Sequence, residues 1–110
     1  MSVIEVTRRG RVLEVTLNRP KVNAIDRAMS KEMGRAFTLL RDDPELWCAI
    51  LTAAGDRIFS AGWDLKALNR GDMTLNNWWE EDYGDGGFAG LTENWRLNKP
   101  VICALNGIAI

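Results

Sequence analysis

The chain has no histidine, and only two of its 110 residues are cysteine, Cys48 and Cys103. Without histidine there can be no Ser-His-Asp triad, no Cys-His pair and no histidine-based metal site. Two cysteines are too few for a disulfide framework or a four-cysteine zinc site. Sparse thiols also suit a reducing compartment. No run of about 18 apolar residues occurs, so a helical membrane span is not expected. The opening Met1-Ser2-Val3-Ile4-Glu5-Val6 lacks the basic-then-apolar order of a secretory signal, and a cytoplasmic location follows as the expectation. Net charge is only −1. Residues 1–41 carry nine Lys/Arg against four Asp/Glu, and residues 42–110 carry five against eleven. The basic residues are interleaved with strand and helix patterning. Nucleic acid is therefore not an expected partner, and a small anionic ligand near the basic half fits better. Neither a G-x-x-x-x-G-K-[ST] loop nor a G-x-G-x-x-G fingerprint is present.

What is present describes one ordinary α/β domain over residues 1–110, with 46% apolar and 26% charged residues. Ile4 and Val6, then Leu13, Val15 and Leu17, alternate on either side of Arg8-Arg9-Gly10-Arg11, which predicts a β-hairpin. Asn18-Arg19-Pro20 ends its second strand. Asp26 predicts an N-cap for a helix to about Leu40, with Met29, Met33, Ala36, Phe37 and Leu40 on one stripe. Asp42-Asp43-Pro44 closes that helix. Trp47–Thr52 reads as a parallel strand covered on both faces. Asp64 predicts the cap of a short helix through Leu68. Residues 69–87 form a glycine-bearing acidic excursion, made amphipathic by Leu75, Trp78, Trp79 and Tyr83. A helix from about Phe88 to Leu97 follows. After Lys99-Pro100, Val101–Leu105 reads as a buried strand, and Asn106-Gly107 as a turn. On this reading Trp47 and Trp95 belong to the core, and both cysteines are buried, inert thiols.

The strand-to-helix junction Phe59-Ser60-Ala61-Gly62-Trp63-Asp64-Leu65-Lys66 is the sharpest chemical feature. Such a junction presents backbone N–H groups at a helix start, where the dipole adds partial positive charge. Gly62 lets the backbone approach a ligand closely. One N–H there can donate to an oxygen that turns negative during reaction, and Lys66 can reach a phosphate. Taken alone, an Ala-Gly turn with a capping Asp is also a common structural connector.

Three ordered motifs sharpen this: Asn18-Arg19-Pro20-Lys21-Val22-Asn23-Ala24, Phe59 through Lys66, and Lys99-Pro100-Val101-Ile102-Cys103-Ala104-Leu105-Asn106-Gly107. Together they resemble the N-terminal part of the enoyl-CoA hydratase/isomerase (crotonase) superfamily, over essentially the whole chain. Ser60–Lys66, Gly86-Gly87-Phe88-Ala89-Gly90-Leu91-Thr92-Glu93 and Arg41-Asp42-Asp43-Pro44 extend the resemblance to its carnitinyl-CoA dehydratases. The implied fold is the N-terminal part of a ClpP/crotonase ββα spiral.

The resemblance also implies roles. The Trp63 backbone N–H takes the place of one half of a thioester oxyanion hole, while its indole shapes the acyl pocket. Ala61, Gly62, Asp64, Leu65 and Lys66 lie in the loop that curls around coenzyme A, with the Ala61 and Trp63 carbonyls near the adenine. Lys21 and Val22 contact CoA, and Lys21 is equally readable as a solvated surface lysine. No metal and no cofactor are implied beyond CoA itself, which is part of the acyl-CoA substrate. The whole enzyme is expected to be a homo-oligomer, a trimer or hexamer. In the family the second oxyanion donor follows the Asn-Gly turn in a Gly-Gly-Gly run, and the acid/base glutamates come later still; the chain stops at Ile110. The expectation is an acyl-CoA hydratase or dehydratase whose 110-residue chain is inactive alone. A related double-bond isomerase, or a non-catalytic product that binds CoA weakly or only associates with other subunits, are the alternatives. Glu80, Glu81, Asp82 and Asp85 read as a solvated acidic loop, and Glu93 as a helix residue near the pocket entrance.

Overall fold

Alternating apolar residues near the start of the chain form a hairpin, β1 (Ile4–Arg9) and β2 (Val12–Leu17), antiparallel with Ile4 opposite Leu17 and Arg9 opposite Val12. The computed structural model describes residues 3–74, 76 and 80–110. Helix α1 spans Arg27–Asp42, and the Asp26 carboxylate accepts the Met29 N–H at 2.9 Å, as its position before the apolar stripe predicts. At the other end, the Asp43 N–H donates to the Leu39 carbonyl at 3.0 Å. The Lys99 ammonium adds bonds of 2.7 Å to the carbonyls of Leu40 and Asp43, so a distant cation satisfies terminal acceptors of the helix.

Strand β3 (Cys48–Ala53) lies parallel to β2, and β5 (Val101–Cys103) lies parallel to β3, giving the order β1-β2-β3-β5. Beside this sheet, β4 (Ile58–Ser60) pairs in parallel with β6 (Ile108–Ala109). Helix α2 (Leu65–Arg70) follows β4 directly. The core lies between α1 and one face of β2 and β3, where Met29, Met33, Phe37 and Leu40 meet Leu13, Val15, Leu17, Ala49 and Leu51, all buried. Side-chain alternation places every second strand residue there.

Several expectations give way at this level. Strand β3 is not covered on both faces: burial alternates along it, with Cys48, Ile50 and Thr52 only half-buried. The Phe88–Leu97 helix is instead a single 3-10 turn, Phe88–Gly90. Gly86, Gly87, Ala89 and Gly90 all adopt positive φ, a left-handed conformation that no α-helix propagates. Strand β5 stops at Cys103, and Ile102, Cys103 and Leu105 are exposed. Cys103 is thus not a buried thiol, and Cys48 is half-buried. Trp95 is 84% exposed and Trp47 63%, the latter roofed by the Arg11 guanidinium 4.7 Å above its ring instead of by core residues. Leu75, Trp78 and Trp79 lie outside the described residues.

Candidate functional site

The loop between β4 and α2 is laid against residues 22–25 as on a template. The Ala61 N–H donates to the Val22 carbonyl at 2.9 Å, the Ile25 N–H to the Gly62 carbonyl at 2.7 Å, and the Asp64 N–H to the Ile25 carbonyl at 3.0 Å. Ile25 and Trp63 therefore form a parallel bridge. In that pattern the N–H and C=O of Trp63 face away from Ile25. Gly62 has φ +82°, open to glycine and costly for other residues, and a Cβ there would stand 3.0 Å from the Ile110 carbonyl oxygen.

Asp64 then starts α2. Its carboxylate accepts the N–H groups of Lys66 and Ala67 at 3.0 and 3.2 Å. It also meets the Arg19 guanidinium at 2.8 Å, and Arg19 reaches Asp26 at 3.4 Å, so one arginine joins the N-caps of both helices. Burial alone would raise the Asp64 pKa. Arg19 and the two backbone donors outweigh it, and the carboxyl sits below its ordinary value.

Between these segments lies a cleft of about 390 Å³. Lys21, Val22, Ala61, Trp63, Asp64, Leu65 and Lys66 all line it, and Gly62 lies within the same loop. The expected site residues, scattered over 46 positions of sequence, are thus brought to one place. Arg19 and Arg70 line it as well, so that among the described residues four cationic side chains and one carboxylate line the cleft, Arg19 being held by Asp64 and Asp26 and Arg70 by Asp72. That leaves Lys21 and Lys66, which meet no carboxylate among the described residues, and their charge favours an anionic ligand. Residues 18–23 also border a second cleft of about 510 Å³, closed on its far side by residues 54–58.

Below the loop the Trp63 indole stacks on Phe88, with centroids 4.1 Å apart and planes 16° from parallel, and Tyr83 meets both rings edge-on. The Tyr83 hydroxyl is buried without a hydrogen-bond partner among the described residues, and burial, then Glu81, pushes its pKa up. In the acidic excursion Glu80, Asp82 and Asp85 are exposed, as expected of a solvated loop, and Glu81 is the exception, half-buried. Glu81 accepts the Thr74 N–H at 2.9 Å and pairs with Arg27, while Asp82 accepts the Gly84 N–H and pairs with Lys31. Glu93 is exposed in a turn, not on a helix. Among the described residues, no group of three His, Cys, Asp or Glu side chains is gathered to hold a metal, and no helix is long and apolar enough to cross a membrane.

Arg19, Asn23 and Ser60 stand inside the sequence motifs with no role evident from them, and Arg70 lies outside every motif. The signal for the first three was a polar residue flanked by apolar or turn residues where the chain must reverse. Such a residue needs a partner that sequence spacing does not name.

Comparison with known proteins assigns the arrangement to a family. The sequence model for enoyl-CoA hydratase/isomerase matches residues 7–110. The chain belongs to that family. Within the hydratase/isomerase family, the carnitinyl-CoA dehydratase of Escherichia coli K12 is 55% identical over 106 residues, covering 96% of this chain and 39% of the relative. The Salmonella arizonae carnitinyl-CoA dehydratase is 56% identical over the same span. A carnitinyl-CoA dehydratase structure from Mycobacterium avium 104 superposes with a TM-score of 0.82 at 39% identity, over 97% of this chain and 40% of that one. An enoyl-CoA hydratase structure from Mycobacterium tuberculosis H37Rv gives 0.75 at 37% identity, over 96% and 38%. The fold is the crotonase-type α/β fold. This hydratase/isomerase-family chain spans about two-fifths of the length of the curated relatives it matches.

Proposed function

We propose that the chain forms the CoA-binding half of an acyl-CoA hydratase/dehydratase site of the carnitinyl-CoA dehydratase kind. The observation that carries this is the convergence of the expected residues on one cationic cleft beside a stacked aromatic pair. In this reading the thioester carbonyl lies at the Trp63 N–H, which stabilises the negative charge that grows on oxygen as an enolate forms. Lys21 and Lys66 meet the phosphates of CoA as mobile point charges. Ala61, Gly62 and Leu65 contact CoA along the loop, and Val22 flanks it. The acyl group extends toward Trp63 and Phe88. In the whole enzyme, glutamates move the protons and water across the α,β carbon pair.

The chain by itself is proposed to bind without turnover. Asp64 is the one carboxylate among the described lining residues, and it is kept ionised as a helix cap beside Arg19. An acid/base group must instead gain and lose a proton near neutral pH. Two free cysteines fit a cytoplasmic setting, and exposed Trp95, Ile108 and Ile110 fit a homo-oligomeric whole enzyme, a trimer or hexamer.

Titration calorimetry of the 110-residue chain with CoA tests the binding. Saturable heat is expected, with Lys21→Ala and Lys66→Ala each weakening affinity by about 2- to 5-fold. Absence of heat with folded protein defeats the proposal. Hydration of crotonyl-CoA above a blank by the purified chain would defeat the claim that it is inactive alone.

A further inference from the structure

The Trp63 N–H belongs to the Gly62–Trp63 peptide, and in a trans peptide N–H and C=O point in opposite directions. Whatever holds the plane of that peptide sets the direction of the donor. The Gly62 carbonyl is anchored on the Ile25 N–H at 2.7 Å. Gly62 itself imposes nothing, since glycine has the widest conformational freedom of any residue. The restraint on its upstream side comes from a side chain: the Gly62 N–H donates to Ser60 Oγ at 3.0 Å, and Ser60 Oγ donates to the Asn23 carbonyl at 2.8 Å.

Asn23 is tied down in turn. It is 6% exposed with φ +51°, its Oδ1 accepts the Arg19 N–H at 2.7 Å, its Nδ2 donates to the Phe59 carbonyl at 3.0 Å, and its N–H donates to the Arg19 carbonyl at 3.0 Å. One residue thereby closes the turn that carries Lys21 and clamps it to the end of β4. Ser60 is 5% exposed, so bulk water cannot replace its hydroxyl. Neither Ser60 nor Asn23 lines the cleft.

We propose that Ser60 and Asn23 are positioning residues: acting through Gly62, they fix the direction of the Trp63 N–H relative to the CoA-binding wall. This rests on the thioester reading above. It goes beyond it in assigning that direction to a buried hydroxyl and amide that lie outside the lining of the 390 Å³ cleft.

The test compares wild type with Ser60→Ala, which leaves both the Gly62 N–H and the Asn23 carbonyl unpaired. The near-isosteric Ser60→Cys, a weak donor and acceptor, keeps the comparison possible should the alanine variant fail to fold. In the free chain, the Gly62 amide is expected to exchange about tenfold faster in the alanine variant, as loss of one hydrogen bond implies. The Trp63 amide resonance is expected to move, with Ala49 and Leu51 in the core unchanged. In the bound state, the carbonyl stretch of crotonyl-CoA labelled with 13C at the thioester is expected to fall below its free value in wild type. It is expected to return toward the free value in both variants, while affinity for CoA itself changes less than about threefold. An unmoved Trp63 amide, or a bound carbonyl stretch equal to wild type, overturns the assignment. So does an equal loss of affinity for CoA and crotonyl-CoA at unchanged frequency, which a merely structural role produces. A wild-type chain that binds no CoA overturns the thioester reading, and the positioning role falls with it; binding with the wrong variant pattern overturns the positioning role alone.

Discussion

Strands β2 and β5 both pair with β3, and the contrast between them is one of sheet faces: β2 and Val101 of β5 meet the core, while Ile102 lies on the other face. Leu13, Val15 and Leu17 of β2 are at most 1% exposed, whereas Ile102 of β5 is 56% exposed and Ile108 of neighbouring β6 is 60% exposed. The sequences do not differ in kind. What differs is the layer above them: the Met29–Leu40 stripe of α1 lies over the face that holds Leu13, Val15, Leu17 and Val101, and among the described residues no such stripe lies over Ile102 or Ile108. Burial is a property of a strand together with its neighbour, and the stability of this molecule is concentrated where the neighbour is present.

Phe37→Ala tests the covered side most severely. Phe37 is fully buried between α1 and the sheet. Its truncation is expected to cost about 3–5 kcal/mol through lost burial and a residual cavity. Domains of this size have only about 5–15 kcal/mol in total, so urea denaturation should show a midpoint shifted far toward zero. A loss below about 1 kcal/mol would mean the covered side carries no more of the stability than the bare one.

The covered side is also where the sequence was most legible. The α1 stripe, its Asp26 cap and the β1–β2 alternation are local patterns whose period matches the element that forms, and the structure follows them closely. The misreadings fall on the other side. Ile102–Leu105 and Trp95 look buried because their residue types are those of cores, but type does not reveal whether a partner layer exists, and Val101 alone of that run packs against the core. The Phe88–Leu97 spacing suits a helix, and the positive φ values of Ala89 and its flanking glycines override it. At the site, the Lys21 and Ala61–Lys66 walls were visible as motifs. The bonds that join them, through Arg19, Asn23 and Ser60, span up to 45 residues and leave no periodic trace.

The site joins the comparison through Asp64. Asp64→Asn is expected to cost about 2 kcal/mol near neutral pH, combining a weakened helix cap with a broken, largely buried ion pair. Because the folded-state pKa lies below the ordinary carboxylate value, the wild-type contribution is present above about pH 4 and is lost as pH falls through the lower folded value. Wild type and variant should therefore differ in stability at pH 7 and converge in acid. Curves that stay parallel down to about pH 2 would contradict the assigned shift.

Tyr83→Phe changes the sign. The Tyr83 hydroxyl is buried without a hydrogen-bond partner among the described residues, and removing an unsatisfied buried group while keeping the ring is expected to stabilise by about 1 kcal/mol. Thermal melts would read this as a rise in Tm, and a fall would show that the hydroxyl has a partner in solution.

The smallest effect belongs to the bare side. Ile102 stands opposite Ile50 in the parallel register of β5 with β3, on a face that α1 does not cover. With more than half its surface in water, Ile102→Thr removes little buried area, and threonine keeps the β-branched shape a strand prefers. Its effect on folding stability should stay within about 0.5 kcal/mol. Light scattering at rising concentration should nevertheless report less self-association, because Ile102, Leu105, Ile108 and Ile110 are exposed apolar side chains. A loss of more than about 1 kcal/mol that grows with protein concentration would show that a second copy covers this face in solution. Burial on the two sides would then differ only in whether the covering layer comes from the same chain.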